Sequence, residues 1–181
     1  MDSRYQINKA KSEDINDLVA MRLSLQKHLD SRNQNLWELS PERLSEYPEI
    51  YRKMMSNKDV SILVIYDTEK EINVGMGIGT LITHNEFKPN SSGRIDDIWI
   101  DPDHRRKGLC KRLILELAKF FRENGIMAVS LQYVMGNTEA EHVWPRLGFD
   151  SVIKIANANL EDIFEKCDEI KHNHIFHRTL N

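Results

Sequence analysis

The chain has 181 residues, 40% hydrophobic and 29% charged, with a formal net charge of −3 at pH 7. That is the size and make-up of one soluble domain able to bury a core, and it excludes disordered, fibrous and low-complexity classes. The acidic balance counts against general nucleic-acid binding, which leaves a domain-wide basic signature.

The first residues, MDSRYQINKAKSEDIND, contain no apolar signal region, and no run approaches the ~18 apolar residues of a membrane span, so a cytoplasmic protein without a membrane partner is expected. Cys110 and Cys167 form no CxxC pair, which points to free thiols rather than a disulfide framework or a zinc site. One domain is expected over 1–181.

YQINKA reads as a first strand. Ser12, followed by Glu13 and Asp14, reads as the N-cap of a helix running to about His28, with Ile15, Leu18, Val19, Leu25 and Leu29 on one side. The segment 30–40 has no period and reads as a loop. Ser40 and Pro41 form a cap and first-position pair, but Pro48 lacks a backbone donor, so 41–56 is expected as two short helices.

VSILVIYD, 60–67, and INVGMGIGTLITH are β-rich runs separated by TEKE, as in a hairpin. Gly75, Gly77 and Gly79 alternate along the second run. No helix follows, so they signal close backbone approach or a bulge rather than a phosphate loop. RIDDIWI is a strand ended by DPDH, and Leu109, Leu113, Leu117 and Phe121 stripe the helix that follows, closed by Gly125. IMAVSLQYV reads as a strand, NTEAEHVWPRL as a short helix, GFDSVIKI as a strand, and HNHIFHRTL as a last one.

The most informative stretch is DPDHRRKGLCKRL, with six basic side chains in the nine positions from His104 to Arg112. A loop passing from strand to helix presents backbone N–H groups without partners and the positive end of the helix dipole, a natural anion site. Gly108 allows close approach to the main chain, and Arg105, Arg106 and Lys107 supply cations suited to a pyrophosphate. With no GKS or GKT ending it is not a Walker loop, and one glycine is not a dinucleotide fingerprint.

IDDIWIDPDHRRKGLCKRLI, with LQYVMGN and AEHVWPRLGF behind it, resembles the acetyl-CoA-dependent N-acetyltransferase superfamily known as GNAT. Arg105, Gly108 and Cys110 occupy the three places of its signature; cysteine stands where the family has glycine or alanine. The helix start can lower the pKa of that thiol. The resemblance is strongest over 94–149, the expected cofactor-binding core. It implies an α/β fold of the α+β type: a mixed, mostly antiparallel sheet with a central, splayed parallel strand pair flanked by helices. It further implies that the backbone of Ile98, Trp99 and Ile100 pairs with the pantetheine arm of acetyl-CoA. The backbone from Arg106 through Lys107, Gly108, Leu109 and Cys110 to Lys111 would then cradle the pyrophosphate, and Asn137 would contact the cofactor.

The implied reaction is acetyl transfer to a primary amine, on a small molecule or a peptide, by direct attack in a ternary complex. An alkyl amine of pKa about 10 must lose a proton to attack. Strand alternation places Arg94, Asp96 and Ile98 on one face and Ile95, Asp97 and Trp99 on the other. By its place in the family pattern Asp96 is the expected general base, with Asp97 left to a structural bond or the substrate ammonium. The family's usual proton donor, a tyrosine four residues before GF, is replaced by Trp144; Tyr133 is the candidate substitute, with a core tyrosine whose hydroxyl is satisfied, or water as the donor, as the alternatives. Trp37, Tyr47 and Tyr51 lie in the segment that covers the acceptor pocket in relatives, although aromatic residues at such spacing are as often core. His172, His174 and His177 are read as a solvated cluster, and no metal is expected. A non-catalytic acyl-CoA-binding module is the alternative, a nucleic-acid-binding domain a more distant one, and a homodimer stays open.

Overall fold

The computed structural model describes residues 4–31, 39–86, 88–153, 155–156 and 158–167. Five strands form one sheet in chain order: β1 (Tyr5–Lys9), β2 (Val60–Asp67), β3 (Ile72–Thr83), β4 (Ser91–Ile100) and β5 (Val129–Leu131). The first four pair antiparallel. β5 joins β4 in parallel over Gly93, Ile95 and the residue between them only. The sheet is therefore mixed and mostly antiparallel, as expected, and the parallel pairing ends at Ile95.

That pair lies at the sheet edge among the described residues, where the described part of the strand expected over GFDSVIKI is not in strand geometry. Residues 149–153, 155 and 156 are irregular. Val152, Ile153 and Ile155 are largely exposed, and β-branched residues favour a strand only where a partner and a covering layer exist. The last strand and the three histidines lie outside the described residues, as does Trp37.

Helices α1 (Ile15–Asp30) and α2 (Pro41–Ser56) cover one face of the sheet, and α3 (Leu109–Glu123) covers the other. Leu18, Tyr47, Tyr51, Met76, Ile78 and Trp99 belong to the first core. Ile65, Ile95, Leu109, Leu113, Leu117 and Phe121 belong to the second. The fourth helix, α4, spans Thr138–Arg146.

Two helix signals read differently in the fold. Ser12 opens a single 3-10 turn, and Asp14 is the residue that reaches back, its Oδ2 accepting from Lys11 N at 2.7 Å. Pro48 lies inside one continuous α2. The cost of an internal proline, about 3 kcal/mol, is offset because Tyr47 and Tyr51 are both buried one turn apart, their rings stacked at 6.2 Å, which ties the two halves to the same core.

The glycines of β3 and β4 do allow close approach. A Cβ on Gly79 would lie 2.8 Å from the Phe121 ring, and one on Gly93 would lie 2.7 Å from it, so the aromatic end of α3 rests on bare backbone.

The chain divides into two compact units, 1–149 and 150–181. In the second, residues 160–167 are helical. Asn159 caps them, its Oδ1 accepting from Glu161 N at 3.1 Å.

Candidate active site

β4 carries a bulge. Ile78 pairs with Asp97 but Gly79 pairs with Ile95, so Asp96 is an extra residue in the ladder. The bulge reverses the alternation expected from sequence. Ile95 joins Ile98 and Ile100 against α3, while Asp97 and Trp99 face α1. From this point the two aspartates differ in burial and in partners.

Asp96 takes bonds from two side chains, Arg94 Nε to Oδ1 and Thr80 Oγ1 to Oδ2. Asp97 turns inward, with its Oδ2 3.5 Å from Arg22 Nε of α1. Burial pushes the Asp97 carboxyl above the ordinary aspartate range, with Arg22 opposing the shift and the Asp96 charge adding to it. Burial likewise pushes up the phenol of Tyr51, which shares this environment.

Beyond Ile95 the outer edge of β4 has no strand beside it among the described residues. Asp101 N donates to Val74 O at 2.9 Å, and Trp99 O faces Gly75, so these two main-chain units belong to the β3 side. Strand geometry then turns the N–H and C=O groups of Ile98 and Ile100 toward the open edge. Of the three residues expected to pair with the cofactor arm, Ile98 and Ile100 thus present backbone there. Trp99 instead presents its ring to His28, with centroids 6.2 Å apart.

After β4, a 3-10 turn (Pro102–His104) leads into the basic loop. Of the six basic side chains, four are spent on the protein itself. His104 is buried. Arg105 donates from Nε to Ile100 O at 2.9 Å and from Nη1 to Glu139 at 3.0 Å. Lys107 bonds the Tyr5 hydroxyl, and Arg112 donates to Tyr5 O at 2.7 Å. Arg106 and Lys111 are exposed.

The loop backbone is arranged for an anion. Arg106 and Gly108 both take positive φ, 60° and 74°, the kind of alternation that gathers successive N–H groups into a concave nest. Gly108 is the N-cap of α3 without a side-chain cap, so the N–H groups of Leu109, Cys110 and Lys111 begin the helix without intrahelical partners. A Cβ on Gly108 would meet nothing within 4 Å, so this side of the loop is open. The Cys110 thiol does not gain from the helix start as the sequence suggested. It is largely buried, and burial pushes its pKa up.

Asn137 is buried and caps α4, its Oδ1 accepting from Ala140 N at 3.2 Å. Tyr133 lies two residues past the end of β5 rather than on the strand, and is half-buried. Trp144 is buried edge-on to Phe149, and its Nε1 is a buried donor with no hydrogen-bond partner among the described residues. Sequence reasoning did not single out Glu139. It accepts from Arg105 and lies 3.7 Å from His28 Nε2, which joins α1, the loop and α4 above Trp99. The basic loop was the available signal, since its cations need counter-charges. Among the described residues no group of three or more His, Cys, Asp or Glu is placed to hold a metal ion, and no helix is long and apolar enough to cross a membrane.

A mixed sheet whose parallel pairing stops short of an N–H nest at a helix start is the frame of an acyl-CoA-dependent transferase. Residues 24–149 match the acetyltransferase (GNAT) family, and the chain belongs to that family. It is an acetyltransferase. Its fold is similar to that of the BH1408 protein from Bacillus halodurans, with a TM-score of 0.76 at 14% identity over 86% of this chain and 99% of that one. A predicted acetyltransferase with acetyl-CoA from Clostridium acetobutylicum aligns with a TM-score of 0.71 at 16% identity, over 87% and 97% of the two chains. Glucosamine-6-phosphate N-acetyltransferase from Arabidopsis thaliana aligns with a TM-score of 0.66 at 16% identity, over 86% and 98%. Among curated proteins none matches.

Proposed function

We propose that the chain transfers the acetyl group of acetyl-CoA to a primary amine by direct attack within a ternary complex. The observation that carries this reading is the open edge of β4 at Ile98 and Ile100, leading directly into the nest from Arg106 to Lys111. The pantetheine amides would bond that edge as an added strand, and the pyrophosphate would take the N–H groups of the nest. Asn137 would contact the cofactor through the part of its amide not used in capping α4.

The amine nitrogen attacks the thioester carbon, the C–S bond breaks, and the amide nitrogen gives up a proton while the thiolate leaves. Asp96 is proposed as the base that receives the proton, directly or through water, with Arg94 and Thr80 fixing its orientation. Asp97, on the α1 side, would attract the incoming ammonium. Tyr133 is proposed as the acid that protonates the sulfur. Trp144 cannot donate a proton, and water could serve instead, because a thiol of pKa near 8.5 leaves tolerably as the anion. Aminoglycosides and glucosamine 6-phosphate, the acceptors named for structural neighbours, belong to the primary-amine class proposed here.

Calorimetry with acetyl-CoA tests the reading. Micromolar binding by wild type, lost in a folded Gly108→Trp variant whose side chain fills the open side of the loop, supports it; no binding by wild type ends it. A panel of amines with detection of free thiol then tests transfer. Tight binding with no turnover on any amine would favour a non-catalytic acyl-CoA-binding module, the reading suggested by Trp144 standing where relatives have a tyrosine.

A further inference from the structure

Asp67 is the last residue of β2, and its side chain is wholly buried. Its Oδ1 accepts from Arg4 Nε at 3.0 Å and from Glu69 N at 3.0 Å, and its Oδ2 accepts from Arg4 Nη2 at 2.7 Å. The same Oδ2 lies 3.3 Å from Nε2 of His104, which is itself buried in the 3-10 turn. The other ring nitrogen, Nδ1, lies 3.4 Å from Asp101 Oδ1, and that oxygen also accepts from Asp103 N at 2.9 Å. The Tyr5 ring meets the imidazole edge-on with centroids 6.0 Å apart, and the Tyr5 hydroxyl receives Lys107 Nζ at 3.1 Å.

A buried carboxylate requires partners, and Arg4 with two backbone N–H groups already supplies them. His104 is therefore not needed to satisfy Asp67. What the contact adds is orientation. An imidazole packed between two carboxylates and edge-on to the Tyr5 ring has little room to turn, whereas an apolar side chain of similar size leaves the turn free to shift. Residues 101, 103, 104, 105 and 107 are each anchored to the sheet end or to one another, and the backbone from Arg106 to Lys111 is what they leave facing outward.

We propose that Asp67 acts through His104 as a positioning pair for the cofactor loop, holding the N–H nest in its anion-binding shape before the cofactor arrives. The inference rests on the acetyl-CoA reading of that loop. Preorganisation of this kind appears in affinity, because a loop already in its bound shape loses less freedom on binding.

The test compares wild type with His104→Leu, His104→Gln and Asp101→Asn. None of these removes Arg4 from Asp67. The readouts are acetyl-CoA affinity by calorimetry, kcat at saturating acetyl-CoA, and melting temperature. His104→Leu is expected to weaken acetyl-CoA binding about tenfold while kcat at saturation stays within about twofold. His104→Gln, which keeps an amide donor toward Asp67, should recover part of the loss. Should His104→Leu fail to fold, His104→Gln and Asp101→Asn carry the test, each with a smaller loss of affinity. Wild type that binds while every folded variant binds equally well overturns the positioning role and leaves the cofactor reading intact, even if the variants melt earlier. Wild type that does not bind overturns both.

Discussion

The Arg105 guanidinium carbon lies 4.9 Å from the centroid of the Trp99 ring, while Nε of the same side chain holds the carbonyl of Ile100. One residue thus fastens the basic loop to the end of β4. Arg105→Lys keeps the charge but not the planar fork that stacks and bonds at once. It is expected to raise the KM for acetyl-CoA about tenfold, equivalent to ~1.4 kcal/mol. Glu139→Gln removes only a half-exposed ion pair and should change the same constant by under about fivefold. Equal effects from the two substitutions would show that the Trp99 and Ile100 contacts contribute nothing.

Phe121 needs Gly93. A methyl group at position 93 would stand 2.7, 2.9 and 3.0 Å from three atoms of its ring, and a ring wedged against backbone cannot yield as a chain end can. Gly93→Ala is expected to destabilise the fold by about 1–3 kcal/mol, measured by chemical denaturation. Adding Phe121→Leu should recover part of that loss. A single substitution that leaves stability unchanged would mean that α3 is free to lift from the sheet.

Those two contacts also mark what the sequence made legible. The stripe Leu109, Leu113, Leu117 and Phe121 has helical period, and all four side chains are buried as read. The glycines facing it announced close approach. Local signals of this kind succeed because period and φ preference act within a few residues. The faces of β4 were not legible, because the bulge at Asp96 depends on how β3 pairs with it, and a one-residue slip moves every following side chain to the other face. The basic loop, with six basic side chains, was read as offering Arg105, Arg106 and Lys107 to a pyrophosphate. In the fold His104, Arg105, Lys107 and Arg112 answer to Asp67, Glu139, Tyr5 and the main chain, partners up to 107 positions away, which no local pattern reveals.

Asp67 should give the protein a distinctive acid sensitivity. Hydrogen bonds from Arg4, aided by the N–H groups of Glu69 and Lys70, hold its carboxyl well below the usual aspartate range against the opposing effect of burial. A carboxyl with a depressed folded pKa stabilises the native state above its unfolded value, near 3.9, and that stability is lost as pH falls from there toward the folded value. Wild type is expected to lose stability more steeply than Asp67→Asn between about pH 5 and pH 2, whatever their difference at neutral pH. Denaturation midpoints collected across that range check it. Parallel curves for the two proteins would mean that another carboxylate carries the acid transition.

Asp96 and Asp97 are adjacent in sequence but differ in burial and in partners, so substituting each separates their proposed roles. Asp96 lies on the bulge with Arg94 and Thr80 directing its carboxylate, and the proposed base would there act on the attacking nitrogen. Asp96→Asn is expected to lower kcat about a hundredfold or more, because it removes the proposed base. Asp97 faces Arg22 and α1, where it would act on amine binding rather than on proton transfer. Asp97→Asn should raise the acceptor KM and leave kcat nearly unchanged. Its carboxyl is pushed up by burial, so the charge that attracts the ammonium is lost on acidification at a higher pH than for an ordinary aspartate. In wild type the acceptor KM should therefore climb as pH falls through that raised pKa, and in Asp97→Asn it should stay flat. If the kcat loss follows Asp97→Asn instead, proton abstraction belongs to the inner carboxylate, and the bonds from Arg94 and Thr80 make Asp96 a support of the bulge.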